Sequence, residues 1–583
     1  MRKTKIICTL GPSTDDENIL RQLIIKGMDV ARINMSHQDQ ESQKKRIESL
    51  KKLRKELDIP VALLLDTKGP EIRIGKFADS KVTLKKGQKF VLTTRDVLGN
   101  KEICSVTFKG LTNDVKEDSK ILIDDGLIEL NVERVTDTDI VCIVLNGGEL
   151  SANKGINIPN ACISLPFLSE KDCSDVKFAV EQDFDFIAAS FTRSADDIMM
   201  LRSELSKNHC KDIKIIAKIE NAEGVRNIDD IIELSDGIMV ARGDLGVEIP
   251  LEDIPIIQKD LIQKVNNEGN QIIIATQMLD SMIKNPRPTR AECTDVANAI
   301  YDGTSAIMLS GETAAGDYPI EAVSTMAKIA ERTEEDIDYV KRFKKKDVIN
   351  KPNVTSALSR ATCTIAHDLN ATAIITVSVS GRTARMVSKY RPKCPIIAGT
   401  KDPKVQRQMN LLWGVTPILI ENKKNTDDLL DHIIDMSERH NLVKSGDLVV
   451  ITTGVPLGVS GTTNLVKAHL VGNVLVSGTS INASDKTIYG NVCVCESVSD
   501  VENKFKPGDI LVIHQTTNAI LDAIKNSSGI IVEAPGLNSH AAVVGLALNK
   551  PTIIGAENAT KLLKSGTTVM LDSKRGIVFS GVK

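Results

Sequence analysis

The sequence predicts an α/β protein whose largest part is a (β/α)8, or TIM, barrel, joined to an inserted β-barrel lid domain, a three-layer α/β domain and a further β-rich unit. Eight short apolar runs alternate with segments of helical period, one β-rich stretch interrupts them, and a second alternating pattern begins after a charged stretch. The length of 583 residues suits about four domains, and 42% hydrophobic residues supply their cores.

The barrel is predicted over residues 1–70 and 166–345. Each apolar run is followed by a segment of helical pattern, apart from the third, after which the β-rich stretch intervenes. Eight βα units in a row favour a closed barrel over an open sheet. The predicted strands are Lys5–Leu10, Asp29–Ile33, Val61–Leu65, Phe186–Ser190, Ile213–Ile219, Gly237–Ala241, Gln271–Ala275 and Ser305–Leu309.

The interrupting stretch, residues 71–165, is predicted to be an all-β domain, because its apolar runs are joined by Gly, Asn and Asp turns. An insertion after a barrel strand lies over the C-terminal mouth, so we expect this domain to act as a lid. Its predicted strands are Lys81–Leu84, Phe90–Thr93, Ile121–Ile123, Leu127–Val132 and Asp139–Leu145.

Two further domains follow the charged stretch Lys341–Pro352. Residues 352–473 alternate helices and strands in the manner of a three-layer α/β domain. The predicted helices are Ser356–Leu369, Thr383–Tyr390, Pro403–Trp413 and Thr426–His440, and the predicted strands are Ala373–Val379, Ile396–Ala398, Pro417–Ile420, Asp447–Thr452 and Leu465–Val471. Residues 480–583 contain short strands and turns, which predict a fourth, β-rich unit.

Composition and charge exclude several functional classes. The formal net charge is −3 and aromatic residues make up 3% of the chain, so the basic excess and stacking surfaces of a nucleic-acid-binding protein are absent. No apolar run reaches about 18 residues, which predicts no membrane span, and Ile6–Leu10 is too short for a signal peptide. The Cys residues form no CxxC pair and the His residues no HxxxH pair, so we expect a cytoplasmic protein with reduced thiols.

Polar residues follow six of the eight predicted barrel strands, at the ends that form the barrel mouth. In such barrels the C-terminal strand ends carry the catalytic groups. A single polar residue there is equally well explained as a salt-bridged rim residue, but a set that recurs on six strands is not. The set is Arg32, Asn34, Ser36, Asp66, Thr67, Lys68, Lys218, Glu220, Arg242, Asp244, Thr276, Ser310 and Glu312.

The residue types at the barrel mouth limit the kinds of reaction that it could catalyse. Glu220 and Asp244 are hard oxygen donors, suited to Mg²⁺ held together with substrate oxygens. Lys218 and Arg32 are placed to neutralise charge on a transferred phosphoryl group or a developing enolate. Gly243 and the residues after it indicate a turn that opens a short helix and offers N–H groups to a substrate carboxylate. Together these features predict metal-assisted phosphoryl or enol chemistry on an acidic substrate.

At these positions the sequence resembles the pyruvate kinase family, over roughly residues 1–473. The matching motifs are Lys5–Ser13, Ala31–His37, Leu65–Arg73, Lys218–Asn221, Met239–Pro250, Ala275–Glu292 and Asp302–Pro319. The resemblance implies transfer of the phosphoryl group of phosphoenolpyruvate to ADP, giving pyruvate and ATP as the final step of glycolysis. It also implies a K⁺- and Mg²⁺-dependent enzyme that is allosterically regulated and forms a homotetramer.

The resemblance implies a role for each matched residue. Lys218, Arg32 and Thr276 would act in catalysis, with Lys218 stabilising the phosphoryl transition state and Arg32 contacting the substrate phosphate. Glu220 and Asp244 would bind Mg²⁺ or Mn²⁺. The other implied sets are the substrate site (Arg32, Lys218, Gly243, Asp244 and Thr276), the K⁺ site (Asn34, Ser36, Asp66 and Thr67) and the nucleotide site (Asn34, Ser36, His37, Arg73 and Lys154).

Two further positions bear on ion and nucleotide binding. In the family, Glu at the position of Glu71 accompanies K⁺ dependence, whereas Lys there replaces the ion, so the resemblance predicts activation by K⁺. Family members usually have Gly where this chain has Gln38, beside the cation and nucleotide positions. That difference could alter ligand affinity, but the liganding residues are unchanged.

The segment Ser378–Thr383 ends a predicted strand and begins a helix, which makes it a candidate anion-binding loop. The loop Thr453–Thr463 supplies further Gly and hydroxyl groups, and ordinary N-capping is the alternative explanation. Because this domain of pyruvate kinases carries the site for a phosphorylated effector, the resemblance favours binding of a sugar phosphate or nucleotide monophosphate. The residues implied are Ser378, Ser380, Arg382 and Thr383.

The tail is similar to the swivelling phosphohistidine domain of phosphoenolpyruvate-utilising enzymes. The likeness rests on Gly508–Ile520 and Gly529–Gly555, and it places His540 at the possible phosphohistidine position. Three neighbours depart from that family's pattern: Pro535, Asn538 and Asn549. No ATP-grasp domain is present to phosphorylate His540, so a structural or interface role is favoured over phosphotransfer.

Two other functions stay open on the sequence alone. A regulatory protein could bind a sugar phosphate through the α/β domain without turnover, although the intact mouth residues argue against it. Another phosphoenolpyruvate enzyme, such as a synthase, would use His540, but it would need the missing ATP-grasp module.

Overall fold

The computed structural model describes residues 2–36, 39–159, 161, 163–345, 353–423, 425–454, 463–472, 474–482 and 487–580. The chain forms two compact units. The first contains Met1–Cys363, Thr376–Thr426 and Thr452–Leu465, and the second contains Thr364–Ile375, Asp427–Ile451 and Val466–Lys583. Of the helices described, none has both the length and the apolar character needed to span a membrane.

The first unit begins with three barrel strands that are almost wholly buried, as expected for apolar runs covered on both faces. The first helix is capped at both ends: the Asp16 side chain accepts the Asn18 N–H, and Gly27 ends the helix with φ 118°. The elements are β1 Lys5–Thr9, α1 Glu17–Lys26, β2 Val30–Asn34, α2 Gln40–Leu57 and β3 Ala62–Asp66.

The insertion after β3 is a β domain, as predicted. Its strands are β4 Ile72–Arg73, β5 Lys81–Leu84, β6 Lys89–Thr93, β7 Ile103–Ser105, β8 Lys120–Ile123, β9 Ile128–Val135, β10 Asp139–Asn146, β11 Gly148–Ser151 and β12 Gly155–Asn157. Seven strands form a sheet in the order β4-β12-β8-β9-β10-β6-β7, and a bridge between Ile74 and Val106 joins its two edges into a barrel. The one-turn helix α3, Leu111–Asp114, was not predicted.

The rest of the catalytic barrel follows the insertion. Its elements are α4 Glu170–Glu181, β13 Phe186–Ala189, α5 Ala195–Lys207, β14 Lys214–Ile219, α6 Ala222–Arg226, α7 Ile228–Leu234, β15 Gly237–Ala241, α8 Arg242–Glu248, α9 Ile254–Glu268, β16 Gln271–Ala275, α10 Arg290–Asp302, β17 Ala306–Leu309, α11 Gly311–Ala314 and α12 Pro319–Asp336. The eight parallel strands close in the order β1-β17-β16-β15-β14-β13-β3-β2. The predicted (β/α)8 barrel is confirmed, and each predicted strand agrees with the observed one to within one residue.

Helices and strands then alternate as predicted for the α/β part. The elements are α13 Tyr339–Lys345, α14 Val354–Asp368, β18 Ala373–Val377, α15 Arg382–Ser388, β19 Ile396–Thr400, α16 Pro403–Met409, β20 Val415–Leu419, α17 Thr426–Arg439, β21 Leu448–Gly454 and β22 Thr463–Leu470. Strands β19 and β20 pair in parallel. Most of the loop Thr453–Thr463 lies outside the described residues.

The tail contains more helix than its sequence predicted. Its elements are β23 Val474–Ser477, β24 Thr479–Ser480, β25 Thr487–Cys495, α18 Val498–Lys504, β26 Ile510–Ile513, α19 Leu521–Asn526, β27 Gly529–Val532, α20 His540–Ala547, β28 Thr552–Ile554, α21 Ala559–Leu562, β29 Thr568–Asp572 and β30 Ile577–Ser580. The strands form one sheet, within which β25 to β28 run parallel. Helix α20 was missed because it is apolar on almost every side and therefore lacks helical periodicity.

Asp185, just before β13, links the barrel to helix α16. Its fully buried carboxylate accepts the Leu63 N–H at 2.8 Å and Arg407 Nε at 2.8 Å. Arg407 Nη2 also donates to Asp183 at 2.7 Å. Burial raises the pKa of Asp185, and the charge of Arg407 opposes that rise. The guanidinium is therefore the main compensation for a carboxylate held away from water.

We expect Arg407→Met to lower the urea midpoint of unfolding strongly, because it removes the hydrogen-bonded counter-charge of the buried Asp185 carboxylate and leaves only the more distant Arg54. Breaking a buried ion pair from one side costs about 3–5 kcal/mol. Lys81→Met is the matched control, since its partner Glu149 is exposed and such pairs contribute about 0–1 kcal/mol. Equal midpoints for the two variants, followed by circular dichroism, would contradict this role for Arg407.

Candidate active site

A buried cluster of charges lies at the carboxyl ends of neighbouring barrel strands. The carboxylate of Asp66, at the end of β3, accepts Arg32 Nε at 2.6 Å and lies 3.0 Å from Lys218 Nζ. The Asp66 side chain is 1% exposed, and the two cationic side chains are each 10% exposed. Lys218 Nζ also lies 2.9 Å from Glu220 Oε1. Two cations from different strands thus share one carboxylate.

The mutual electrostatics keep these groups charged. Burial alone would raise the pKa of Asp66, but the charges of Arg32 and Lys218 outweigh it and hold that pKa below its usual value. Burial would lower the pKa of Lys218, but Asp66 and Glu220 outweigh it and raise that pKa well above its usual value. Lys218 is therefore a fully protonated ammonium at the base of the mouth.

Ser190 is a member of this cluster that the sequence analysis missed. Its hydroxyl accepts Lys218 Nζ at 2.7 Å and lies 2.7 Å from the Thr67 carbonyl oxygen and 3.0 Å from Asp66 Oδ1. The next residue, Phe191, has φ 53°, and its N–H donates to Glu220 Oε2 at 2.6 Å. The signal was available, because Ser190 ends the fourth predicted strand, in the same position as the residues that were identified.

Glu220 and Asp244 supply the excess negative charge of the mouth. Burial raises the pKa of Asp244 to about 7, and the negative charge of Glu220 contributes to the rise. Within the described residues, no group of three or more His, Cys, Asp and Glu side chains is arranged to hold a metal ion. Two mutually repelling carboxylates fit a divalent cation that takes its other ligands from substrate and water.

Thr276 and Gly243 lie together on the next part of the rim. The Gly243 N–H donates to Thr276 Oγ1 at 2.8 Å, so this amide, expected to be free, is bonded to the side chain beside it. Thr276 and Gln277 have φ 68° and 54°, a strained turn for non-glycine residues. Arg242 anchors the turn through the Thr276 carbonyl at 2.8 Å and is itself held by Asp295 at 2.7 Å.

The four residues implied for K⁺ come from two paired strands. Asn34 and Asp66 are register partners of β2 and β3, and Ser36 and Thr67 follow shortly after them. Asn34 Oδ1 accepts the Ser36 N–H at 3.0 Å, and Thr67 Oγ1 accepts the Ser190 N–H at 3.1 Å. The structure therefore brings this predicted set into one small region.

A cavity of about 280 Å³ lies between the inserted domain and the barrel mouth, with Arg73, Lys154 and Asp244 in its lining. Both cations are already paired: Arg73 Nη2 lies 2.8 Å from Glu71 and Lys154 Nζ lies 2.7 Å from Asp124. A phosphate group would have to compete with these partly exposed ion pairs. His37, which the resemblance also assigns to the nucleotide site, lies outside the described residues.

The predicted effector residues differ in exposure. Ser378 and Thr383 are buried, and Thr383 Oγ1 lies 2.9 Å from Thr463 Oγ1. Ser380 and Arg382 are exposed.

In the tail, both ring nitrogens of His540 are engaged. Nδ1 lies 2.9 Å from Thr516 Oγ1, and Nε2 lies 2.9 Å from Asn518 Oδ1. A nearby His514–Glu533 pair is also 2.9 Å apart. Phosphorylation of His540 would replace one of its two hydrogen bonds.

Three family models match the chain in sequence order. They describe the pyruvate kinase barrel domain over residues 1–323, the pyruvate kinase alpha/beta domain over residues 356–469, and the mobile domain of PEP-utilising enzymes over residues 505–576. The matches agree with the barrel, the alternating α/β part and the tail described above.

Named relatives match along the whole chain. The chain is 48% identical over 582 residues to a pyruvate kinase of Geobacillus stearothermophilus and 46% identical over 583 residues to one of Sporosarcina psychrophila; each alignment covers 100% of this chain and 99% of the relative. A solved pyruvate kinase structure from Cryptosporidium parvum aligns with a TM-score of 0.78 and 41% identity, covering 81% of this chain and 96% of that one.

Asp66→Asn should lower the Tm in scanning calorimetry, because it leaves Arg32 and Lys218 facing each other without their shared carboxylate. The expected loss is about 3 kcal/mol or more, the usual cost of breaking a buried ion pair. Glu149→Gln removes a carboxylate from an exposed pair and serves as the control. A Tm equal to that of the control would show that Asp66 is not the counter-ion on which the cluster depends.

Proposed function

We propose, from the premise that the chain belongs to the pyruvate kinase family, that Lys218, Arg32 and Thr276 carry its reaction at the barrel mouth. The protein is an enzyme, a pyruvate kinase that transfers the phosphoryl group of phosphoenolpyruvate to ADP and yields pyruvate and ATP. The observation that carries the residue assignment is the placement of two buried cations beside two carboxylates at the strand ends.

Phosphoryl transfer between two polyanions needs positive charge that is already in place. In the proposed reaction Lys218 faces the transferred phosphoryl group and stabilises the negative charge that builds on it and on the enolate. Arg32 contacts the substrate phosphate. Asp66 and Ser190 fix the position of Lys218 Nζ, so little reorganisation is required when the transition state forms.

Pyruvate kinases require a divalent metal, and those with Glu at the position of Glu71 also require K⁺. We assign Mg²⁺, or Mn²⁺, to Glu220 and Asp244, whose mutual repulsion a divalent cation would relieve. When bound, the metal supplies Lewis-acid stabilisation of the substrate oxygens. We assign K⁺ to Asn34, Ser36 and the carboxylate and hydroxyl oxygens of Asp66 and Thr67, with Glu71 nearby in sequence.

The substrate carboxylate is assigned to Gly243, Asp244 and Thr276, and its binding would require the Gly243 N–H to exchange its bond to Thr276 Oγ1 for one to the substrate. The anchored turn fixes the Thr276 hydroxyl. We assign this hydroxyl to the side of the enolate on which the methylene carbon gains its proton. The nucleotide is assigned to Asn34, Ser36, His37, Arg73 and Lys154, at the cavity beneath the inserted domain. Its phosphates would displace the carboxylates of Glu71 and Asp124 from their cations.

The remaining assignments concern regulation and assembly. We propose that Ser378, Ser380, Arg382 and Thr383 bind a phosphorylated effector, and that the enzyme works as a homotetramer in the cytoplasm. The hydrogen-bonded state of His540 supports a structural role for the tail rather than phosphotransfer.

Lys218→Met should reduce kcat for pyruvate formation by about a thousandfold or more, because it removes a preorganised cation from the transition state. The assay couples pyruvate to lactate dehydrogenase, with phosphoenolpyruvate, ADP and Mg²⁺ present. Lys76→Met, which alters an exposed lysine of the inserted domain, should leave kcat unchanged. A kcat for Lys218→Met within tenfold of the unmodified enzyme would remove Lys218 from the mechanism.

Replacing Na⁺ with K⁺ at constant ionic strength should raise the rate of the unmodified enzyme. The expectation follows from Glu71, which leaves the monovalent site without a built-in lysine charge. Initial rates in Na⁺-only and K⁺-containing buffers are compared in the same coupled assay. Equal rates in the two buffers would contradict the assigned K⁺ site.

A further inference from the structure

A short turn at the end of β2 carries two of the residues assigned to K⁺. It consists of Asn34, Met35 and Ser36, of which the first and the last are the assigned ligands. The Met35 N–H donates to the Asp66 carbonyl oxygen at 3.0 Å, which ties the turn to β3. Because Met35 lies between the two ligands, the conformation of its backbone sets how far apart they are.

Two side chains from neighbouring helices bind the carbonyl groups of this turn. Lys171 Nζ, in α4, donates to the Met35 carbonyl oxygen at 2.8 Å. Gln43 Nε2, in α2, donates to the Asn34 carbonyl oxygen at 3.3 Å, and Arg46 Nη1 donates to Gln43 Oε1 at 3.2 Å. Both backbone groups of Met35 are therefore hydrogen-bonded, and the turn is held from two sides.

Asp175 fixes the position of the Lys171 ammonium. Its side chain is 1% exposed, and its Oδ2 accepts Lys171 Nζ at 2.7 Å. Its Oδ1 accepts Nε2 of Gln40, the first residue of α2, at 2.9 Å. One buried carboxylate thus connects α4 both to the turn and to the helix that follows it. The same carboxylate neutralises an ammonium that would otherwise oppose the binding of a cation close by.

A second ion pair on α4 provides a comparison. Lys177 and Glu181 have the same four-residue spacing, but their charged atoms lie 3.9 Å apart and their side chains are 66% and 57% exposed. Exposed pairs of this kind contribute little to stability. The first pair differs in the burial of Asp175 and in the bond from Lys171 to the backbone of the turn. Lysine variants at the two positions therefore isolate the effect of that bond.

We propose that Lys171 and Asp175 are positioning residues of the monovalent-cation site, which hold the two ligands of the turn in the arrangement that binds K⁺. The inference rests on the proposed function, in which Asn34 and Ser36 are K⁺ ligands. Groups behind metal ligands set the affinity of a site, because they orient the ligands before the ion arrives. Neither Lys171 nor Asp175 is assigned to the ion, the nucleotide or the substrate.

The K⁺ dependence of pyruvate formation, measured at constant ionic strength, is the first test. Lys171→Met should raise the K⁺ concentration that gives half the maximal rate about tenfold. Saturating K⁺ should restore most of the rate, because the ligands themselves are intact. Lys177→Met is the matched control and should keep the value of the unmodified enzyme. Equal K⁺ requirements for the two variants would overturn the proposal.

The direction of the change separates positioning from a simple effect of charge. If Lys171 contributed only a positive charge, its removal would strengthen K⁺ binding. A lower K⁺ requirement in Lys171→Met would therefore overturn the proposal. Lys171→Arg keeps a donor for the Met35 carbonyl and for Asp175, so it should recover most of the K⁺ affinity; a requirement as high as that of Lys171→Met would contradict the positioning role.

Thermal unfolding measures ion binding without turnover. An ion that binds only the folded protein raises its Tm, so replacing Na⁺ with K⁺ should raise the Tm of the unmodified protein. Lys171→Met should need about tenfold more K⁺ for the same rise, whereas Lys177→Met should not. If K⁺ changes neither the rate nor the Tm of the unmodified protein, the assigned K⁺ site and this inference are both overturned. If K⁺ acts on the unmodified protein and the two lysine variants respond alike, only this inference is overturned.

Discussion

The barrel mouth depends on one buried carboxylate, that of Asp66. An isolated carboxylate with 1% exposure would be strongly destabilising, and the two cations that compensate it come from β2 and β14. The same contacts bring Arg32 and Lys218 close together despite their like charges. A structural requirement, neutralising Asp66, therefore places two fixed cations where the proposed phosphoryl transfer would use them. Glu220 and Asp244 add a second pair of carboxylates, which repel each other and to which we assign the divalent cation.

The fold could be predicted well wherever the spacing of apolar residues distinguishes strands from helices. The eight barrel strands are apolar runs separated by amphipathic helices, and their limits follow from the sequence to within one residue. Helix α20 could not be found in this way, because its segment HAAVVGLA is apolar on almost every side. The bridge between Ile74 and Val106, which closes the inserted domain, joins strands that are distant in sequence and carries no local signal.

The residue types of the site could be predicted from the sequence, but the hydrogen bonds and ion pairs between them could not. Strand-end position identified Lys218, Glu220 and Asp244, and the same rule would have found Ser190. Glu220 is held by the backbone N–H of Phe191, a residue with positive φ. A phenylalanine in the sequence gives no indication of this backbone conformation. The pairing of Arg73 with Glu71 and of Lys154 with Asp124 is likewise a property of the folded loops. The proposed nucleotide contacts of Arg73 and Lys154 would therefore require that these local carboxylates be displaced.

The most direct test of this account is a crystal structure with Mn²⁺ and phosphoenolpyruvate bound, since without ADP the substrate stays intact. The account predicts an anomalous Mn²⁺ peak held by Glu220 and Asp244, with the substrate phosphate in contact with Lys218 and Arg32. A Mn²⁺ ion bound away from these carboxylates, or a phosphate that does not reach Lys218, would contradict it.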